Sequence, residues 1–375
     1  MLRVLAKTAQ MIVLAIAGYN TVVALWGWRN RPPAAAGSGR RRLRIVVPAH
    51  DEETVISGIL DDLASDPYPA ANVVVLADRC TDQTAEVAAG RGVRAVERSS
   101  GDGGKGAALS WYLDAYPLDR DEALVVFDAD NRLPDGVLVR IADELDAGHE
   151  VVQCYLDVEN PDGSVLATAS AMTYWAGNRM VQLARDNLGW SADLGGTGMA
   201  FTAEALDRLG GFGSSLTEDQ EIGVRAALAD IRVAWLHDVR IRDEKPTDLT
   251  TTVRQRSRWM AGKRDVARLY LQPLWSAAIE RRSVRLFDQG LRLVQPGRSF
   301  VALLSGAFAV AAVTTRSRLL LSPRVWLAAT VWQFVQPIPF LLRDGVPLRY
   351  VARYPLVTFL ATLWIPIRLL SCLLY

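Results

Sequence analysis

The sequence predicts an α/β protein: a doubly wound, mostly parallel sheet with flanking transmembrane and interfacial helices. Three observations predict it. Short β-rich runs alternate with amphipathic stretches through the middle of the chain, the pattern of strands joined by crossover helices. Polar residues follow three of those runs in turn, where ligands of such sheets bind. Apolar segments of bilayer-spanning length lie at both ends.

At 375 residues the chain holds one large domain or two ordinary ones. A net charge of +1 gives no electrostatic footprint for nucleic acid, and no nucleic-acid partner is expected. Cys80, Cys154 and Cys372 show no paired spacing, which excludes a disulfide scaffold and fits a reducing compartment or core packing.

The first element is an apolar helix over residues 1–28, strongest from Ile12 to Trp28 and extending back to Leu5. Arg29, Arg31, Arg40, Arg41, Arg42 and Arg44 follow it, whereas only Arg3 and Lys7 precede it. This bias places the following segment in the cytoplasm and makes the chain a multi-pass protein of the cell (plasma or inner) membrane. The competing reading is a signal peptide cleaved at Ala15-Ile16-Ala17. Residues 29–42, with "RPPAAAGSGRRR", read as a short flexible basic linker.

Residues 43–262 form the soluble middle. The runs "LRIVVPA", "NVVVLAD", "ALVVFDAD", "EVVQCYLDV" and "IRVAWL" read as strands, and 53–65 and 83–90 as helices between them. His50-Asp51-Glu52 follow the first run, Asp78 the second, Asp128 and Asp130 the third. Residues 263–298 are basic and amphipathic, an interfacial region. Residues 299–375 carry two to three spans, about 299–315, 325–342 and 355–374; Pro366 and Arg368 in the last fit an interfacial or re-entrant segment as well as a span.

Three constellations carry chemistry. Asp128 and Asp130 close a buried run with one residue between them, and two such carboxylates can share Mg²⁺ or Mn²⁺ with a phosphate-bearing ligand. The bland alternative is a solvated strand-to-loop turn. Thr217 and Gln220 have the spacing of a capping box, which places Glu218 and Asp219 in the first turn of a helix. There they either start the helix through its dipole or supply a general base. In "RQRSRWMAGKR", Gln255, Arg258 and Trp259 share a helix face: an indole on which a sugar can stack, beside a guanidinium fork suited to pyrophosphate. The alternative there is a basic helix lying on anionic lipid, through Arg254, Arg256, Lys263 and Arg264. "GDGGKGAALSW" puts Lys105 at the start of a helix without P-loop spacing, and "LGGTGMAF" is a second Gly-rich turn. His50, His149 and His237 have no metal-ligand spacing, and His149 reads as a surface residue.

Together "VVPAHDEE", "LADRCTDQT", "GGKGAAL", "FDADN", "TEDQE" and "QRSRW" occur in the order found in the inverting glycosyltransferases of family 2. The chain resembles the membrane-embedded members: cellulose, chitin and hyaluronan synthases and ceramide glucosyltransferases. The resemblance covers residues 43–262. It implies a GT-A fold, a UDP-sugar donor and a divalent metal. By the same resemblance Pro48 and the loop with Glu52 cradle the nucleoside, and Asp78 reads the uracil edge. Lys105, Asp128 and Arg258 belong to the donor site, Asp128 and Asp130 to the metal, and Asp219 is the catalytic base. Gln255, Trp259 and Glu218 meet the acceptor. The chain departs from the family where Asp51 replaces the usual Asn and Ala77 the usual Asp, which puts the hydrogen bonding of residue 51 in question.

The implied reaction is a single displacement at the sugar C1 that yields a β-glycoside. Three to four spans are few for a polymer channel without a homo-oligomer or an export partner, which favours a lipid or short saccharide acceptor over a processive polysaccharide synthase. A non-catalytic nucleotide-sugar-binding membrane protein would be expected to lack Asp219 or the metal pair. The "QRSRW" segment and the terminal spans count against a metal-dependent nucleotidyltransferase.

Overall fold

A computed structural model describes residues 2–39, 41–213, 215–315, 317 and 319–357. The chain opens with helix α1 (Leu2–Leu25) and a 3₁₀ turn, Trp26–Trp28. Strands β1 (Arg42–Ala49), β2 (Ala71–Asp78), β3 (Arg94–Arg98) and β4 (Glu122–Val126) follow, separated by α2 (Ile56–Ser65), α3 (Thr84–Gly90) and α4 (Lys105–Ala115). Next come α5 (Val137–Asp146), β5 (Val151–Val158) and α6 (Val165–Gly177), a π-helical turn at Asn178–Leu183, and α7 (Ala184–Asn187). Strand β6 (Met199–Thr202), α8 (Ala203–Leu209), α9 (Glu218–Leu228) and β7 (Val233–Asp243) complete the sheet region. Helices α10 (Leu249–Glu280), α11 (Val284–Val294), α12 (Arg298–Thr315), α13 (Pro323–Val335), α14 (Pro337–Arg343) and α15 (Leu348–Val351) follow.

The seven strands lie in the order β3-β2-β1-β4-β6-β5-β7. All neighbours are parallel except those of β6, which runs antiparallel to β4 and β5. The expected mostly parallel sheet is therefore present. Alternation along each strand feeds two cores: Val46, Leu124 and Val126 face one side of the sheet, Ile45, Val47, Val125 and Phe127 the other.

This topology decides where the site forms. Parallel β1, β2 and β4 end on one edge. Antiparallel β6 enters from that edge, since Met199 pairs with Val126, so the loop 194–198 arrives beside the end of β4. An isolated bridge between Arg132 and Arg242 pins the loop after β4 against the end of β7.

Outside the sheet, α9, α10 and α11 share a core around Val224, Val266, Leu274 and Leu286. Helices α1, α12 and α13 pack around Val13, Val301 and Trp326. Among the described residues, three helical segments are long and apolar enough to cross a membrane: Arg3–Trp28, Arg298–Thr315 and Pro323–Arg343. They coincide with three of the four expected spans; the fourth, 355–374, lies almost wholly outside the described residues, as does Cys372.

The structure corrects three local expectations. The segment after α1 is docked, not free. Arg31 bonds Glu144 and Asp186, the Gly37 amide donates to Asp143, and Arg41 pairs with Asp146, because α5 presents a row of acids to it. His149 is half-buried in that cluster, with Nε2 at 2.9 Å from Arg31. The Thr217 hydroxyl does not cap α9. It is buried without a hydrogen-bond partner among the described residues, packed where α10 crosses the start of α9.

Candidate active site

The site grows from the carboxyl edge of the sheet. At β1, Asp51 takes a left-handed backbone (φ 57°) that Asp and Asn tolerate. Its Oδ1 accepts the Thr81 amide at 2.6 Å, so Asp supplies the hydrogen bond a loop there needs. His50 Nδ1 lies 2.7 Å from the Asp78 carbonyl, tying the ends of β1 and β2 together. The buried Asp78 carboxylate accepts from Arg98 at 2.7 Å and from Arg79 at 3.2 and 3.3 Å. Arg98 closes β3, a strand too short and charged to stand out in the sequence. Asp51, Cys80 and Asp82 also cluster here, but their carboxylates are engaged by the Thr81, Glu53 and Thr84 amides, as in ordinary turns.

After β4 the chain turns sharply. The Asp128 amide donates to Thr197 Oγ1 at 2.9 Å and to Asn131 Oδ1 at 3.2 Å, and the Thr197 hydroxyl donates in turn to Asn131. This buried network aims the two aspartates differently. Asp128 is paired with Lys105, whose ammonium also donates to the Gly196 carbonyl at 2.6 Å. Asp130 forms no ion pair among the described residues, although Lys245 partly offsets its charge. Burial first, then repulsion from Asp128, Asp243 and Glu52, pushes it up to about 7. Glu52 is raised too, by burial and then by Asp128. Asp243, at the end of β7, is raised by burial although Lys245 bonds it, and its Oδ1 is buried without a hydrogen-bond partner among the described residues. Asp128, Asp243 and Glu52 thus outweigh Lys245 in their effect on Asp130, and oxygen donors of this kind fit a hard divalent cation. Asp243 was missed in the sequence because strand-end acids are common and only the Arg132–Arg242 bridge brings this one beside Asp130.

Asp219 sits in the first turn of α9, as expected. It is driven up to about 7, by burial first and then by Glu218 beside it, and its Oδ1 accepts the Gln220 amide at 2.8 Å. Glu218 is raised by burial, against the opposing charges of Lys105 and Arg258. Two close approaches bring these helices together. A Cβ at Gly106 would stand 2.4 Å from the Gly213 carbonyl, so α4 reaches α9 only because residue 106 has no side chain. A Cβ at Gly262 would meet Thr217 at 2.5 Å, which lets α10 lay Trp259 across the start of α9.

A pocket of about 350 Å³ opens beside Asp219, walled by Gln153, Tyr174, Trp235 and Trp259. Of the three residues on the α10 face, Trp259 lines it; Gln255 and the exposed Arg258 do not. Tyr174 and Trp235 were not anticipated: Trp235 reads as strand core, and Tyr174 lies on a helix without a motif. The Gly-rich loop supplies the floor, with the Gly195 amide donating to Gln153 at 2.9 Å. Pro48, on β1, stands back from this pocket, beside Leu76 of β2.

Comparison with known proteins gives this geometry a family. The description "Glycosyltransferase like family 2" matches residues 41–262. The chain belongs to this glycosyltransferase family. Among its relatives, a β-monoglucosyldiacylglycerol synthase of Synechocystis sp. is 25% identical over 236 residues, 58% of this chain and 47% of that protein. A probable glucomannan 4-β-mannosyltransferase of Oryza sativa subsp. japonica is 27% identical over 214 residues, 56% of this chain and 35% of that one. The chain thus spans half the length of these relatives or less. Among solved structures, the mannosyltransferase PcManGT of Pyrobaculum calidifontis, in complex with GDP-Man and Mn²⁺, superposes with a TM-score of 0.60 at 19% identity, over 97% of this chain and 99% of that one. That likeness shows a shared GT-A fold.

Proposed function

We propose that this transferase is membrane-bound and inverting, and that it moves a hexose from a UDP-sugar to a hydroxyl of a lipid acceptor to form a β-glycoside. The observation that carries the proposal is Asp219: a half-buried carboxylate pushed up to about 7, in a pocket walled by indoles, next to a cluster in which acids outnumber the two lysines that answer them. On this reading residues 43–262 are the transferase domain, 263–298 an interfacial region and 299–375 the membrane region, with residues 1–28 as a further span and 29–42 as the basic segment joining it to the domain. The arginines after α1 support a cytoplasmic domain. A cysteine introduced at exposed Asp102 should resist an impermeant reagent added outside intact cells; ready labelling would reverse the orientation.

Residue by residue, Asp219 accepts the proton of the acceptor hydroxyl as that oxygen bonds to the sugar C1. The C1–oxygen bond to the diphosphate breaks with inversion. Trp259 offers a face on which the acceptor stacks, with Glu218 and Gln255 flanking it. Arg258 meets the diphosphate with a planar fork. Lys105, released from Asp128 when the donor enters, is a second cation for the phosphates. Pro48, Glu52 and Asp78 hold the nucleoside end, with Asp78 oriented by Arg98. Asp128, Asp130 and Asp243 would hold Mg²⁺ or Mn²⁺, whose charge offsets that of the departing diphosphate when bound.

A lipid acceptor is supported by the three spanning-length helices and by the Synechocystis relative, which is named for a glycolipid. The glucomannan relatives favour a saccharide chain as the second reading, processive if an oligomer or export partner completes a channel. The test is incubation of the purified full chain in native lipid with labelled UDP-sugars and GDP-mannose, with products identified by mass spectrometry. A labelled glycolipid from a UDP-sugar supports the proposal. A product from GDP-mannose alone, or a polymer, would replace the donor or the acceptor named here.

A further inference from the structure

His237 takes no part in the chemistry derived above, yet it stands between the spanning-length segments and the Asp219 pocket. On one side of it is Asp344, the residue that follows the segment Pro323–Arg343. The Asp344 side chain is buried, and its Oδ1 accepts from Arg179 Nε at 2.6 Å and from His237 Nε2 at 2.8 Å. The end of the segment Arg3–Trp28 meets the same place. Arg179 donates to the Gly27 carbonyl at 2.9 Å, and Arg343 Nε to the Trp28 carbonyl at 2.9 Å. On its other side His237 Nδ1 accepts from the Trp235 indole at 3.1 Å, and Trp235 walls the pocket beside Asp219.

These bonds fix the imidazole. An indole N–H can only donate, so Nδ1 carries no proton. Nε2 therefore carries it and donates to Asp344. Arg179 Nη2 lies 3.2 Å from Nε2, where both are donors converging on the Asp344 carboxylate. A buried indole N–H needs an acceptor, and His237 supplies it to a ring that is 2% exposed. Asp344 also reaches the pocket by a second route. Arg179 belongs to the π-helical turn Asn178–Leu183, and Asn178, Val181 and Gln182 of that turn line the pocket. Such turns are frequent at functional sites. One buried carboxylate at the membrane junction thus steadies two walls of the pocket.

Resting on the transferase reading above, we propose that His237 is a positioning residue for the acceptor: it carries the seating of the segment Pro323–Arg343, through Asp344, to the Trp235 indole, and so sets the wall against which the acceptor lies. The donor end is held separately, within the sheet, where Arg98 orients Asp78. Loss of His237 therefore weakens acceptor use and spares the donor.

The test follows Trp235 directly. The full chain is labelled with 5-fluorotryptophan and placed in phosphatidylcholine nanodiscs, and the ¹⁹F resonance of Trp235 is identified by its loss in Trp235→Phe. Wild type should give one narrow line. His237→Phe keeps a ring but no acceptor, and should broaden or split that line. His237→Gln can accept and donate at once, and should restore it. Asp344→Asn, which removes the charge that anchors Nε2, should disturb the line less than His237→Phe but measurably. Circular dichroism confirms that each variant is folded. For transfer, the chain in detergent is titrated with total lipid extract of the native membrane and given labelled UDP-sugar. The half-saturating amount of extract should rise about fivefold in His237→Phe, the scale of one neutral hydrogen bond, with kcat and the UDP-sugar KM within about twofold of wild type. Adding His237→Phe to Trp235→Phe should cost less than about a further twofold, because the two residues act as one unit. An undisturbed line in His237→Phe, a line that His237→Gln fails to restore, or additive losses in the double variant overturns the proposal. A wild-type chain that makes no product sinks the transferase reading instead, while the resonance still decides whether His237 holds Trp235.

Discussion

Asp130 and Asp219 at the sheet edge, and Asp288 and Asp344 at the junction with the terminal helices, are acids whose ionisation the surroundings shift in opposite directions, and they differ in what faces them. Burial alone would raise Asp288, but Arg292 and Arg185 hold it below the ordinary carboxylate range. Burial would raise Asp344 too, yet the hydrogen bond from His237 and the Arg179 guanidinium keep it low. Arg179 also donates to the Gly27 carbonyl at 2.9 Å and Asn30 at 2.8 Å, fastening the end of the first helix to the domain. Among the described residues no guanidinium pairs with Asp130 or Asp219, and both are pushed up to about 7. The lesson is that Asp288 and Asp344, each with its own arginine, build structure, whereas acids crowded by other acids, as Asp130 and Asp219 are, suit a ligand.

The contrast breaks most visibly through catalysis. Asp219→Asn keeps the size of the side chain and removes the base. Transfer should fall by roughly 10²–10⁴-fold while UDP-sugar affinity, read by calorimetry, stays near wild type. Near-normal transfer would show that Asp219 merely starts α9. Chelation should likewise abolish transfer, with Mg²⁺ or Mn²⁺ restoring it; full activity in excess chelator would remove the metal from the site.

The junction should fail in the opposite way. Asp288→Ala strands Arg185, nearly fully buried, without its partner. Unfolding in detergent should show a loss of about 3–5 kcal/mol, while turnover per folded molecule changes little. Because the folded value of Asp288 lies below the unfolded one, its contribution is complete above the unfolded value. It is lost only as pH falls through the folded one. Stability from this pair should therefore be flat from pH 8 to 5. A smaller effect separates the two walls of the pocket. Trp259→Ala should raise the acceptor KM by between about twofold and tenfold and leave donor binding alone, as expected for one lost stacking surface.

Much of this was legible in the sequence for one reason: in a parallel sheet the strand ends carry the ligand, and β1, β2 and β4 announce themselves as apolar runs that stop in polar residues. Lys105, Asp128, Asp130, Asp219 and Trp259 were each visible beside a local signal. What could not be read depends on contacts distant in the chain. Strand β6 has four residues, and its reversed direction is what delivers the Gly-rich loop to the site. Asp243 becomes a neighbour of Asp130 only through the bridge between residues 132 and 242. The Thr217–Gln220 spacing misled because α10 packs over Thr217 and turns its hydroxyl from a cap into a contact.

The most direct test of the contrast is the pH dependence of kcat/KM, which reports groups of the free enzyme. Asp219 must be deprotonated to act, so the rate should fall about tenfold per unit as pH drops below about 7. Glu218→Gln removes one of the two causes that raise Asp219, and should move that limb to lower pH even if the maximum rate also falls. A wild-type profile flat from pH 8 to 5 would contradict the assignment of Asp219 as a half-buried base with a raised pKa.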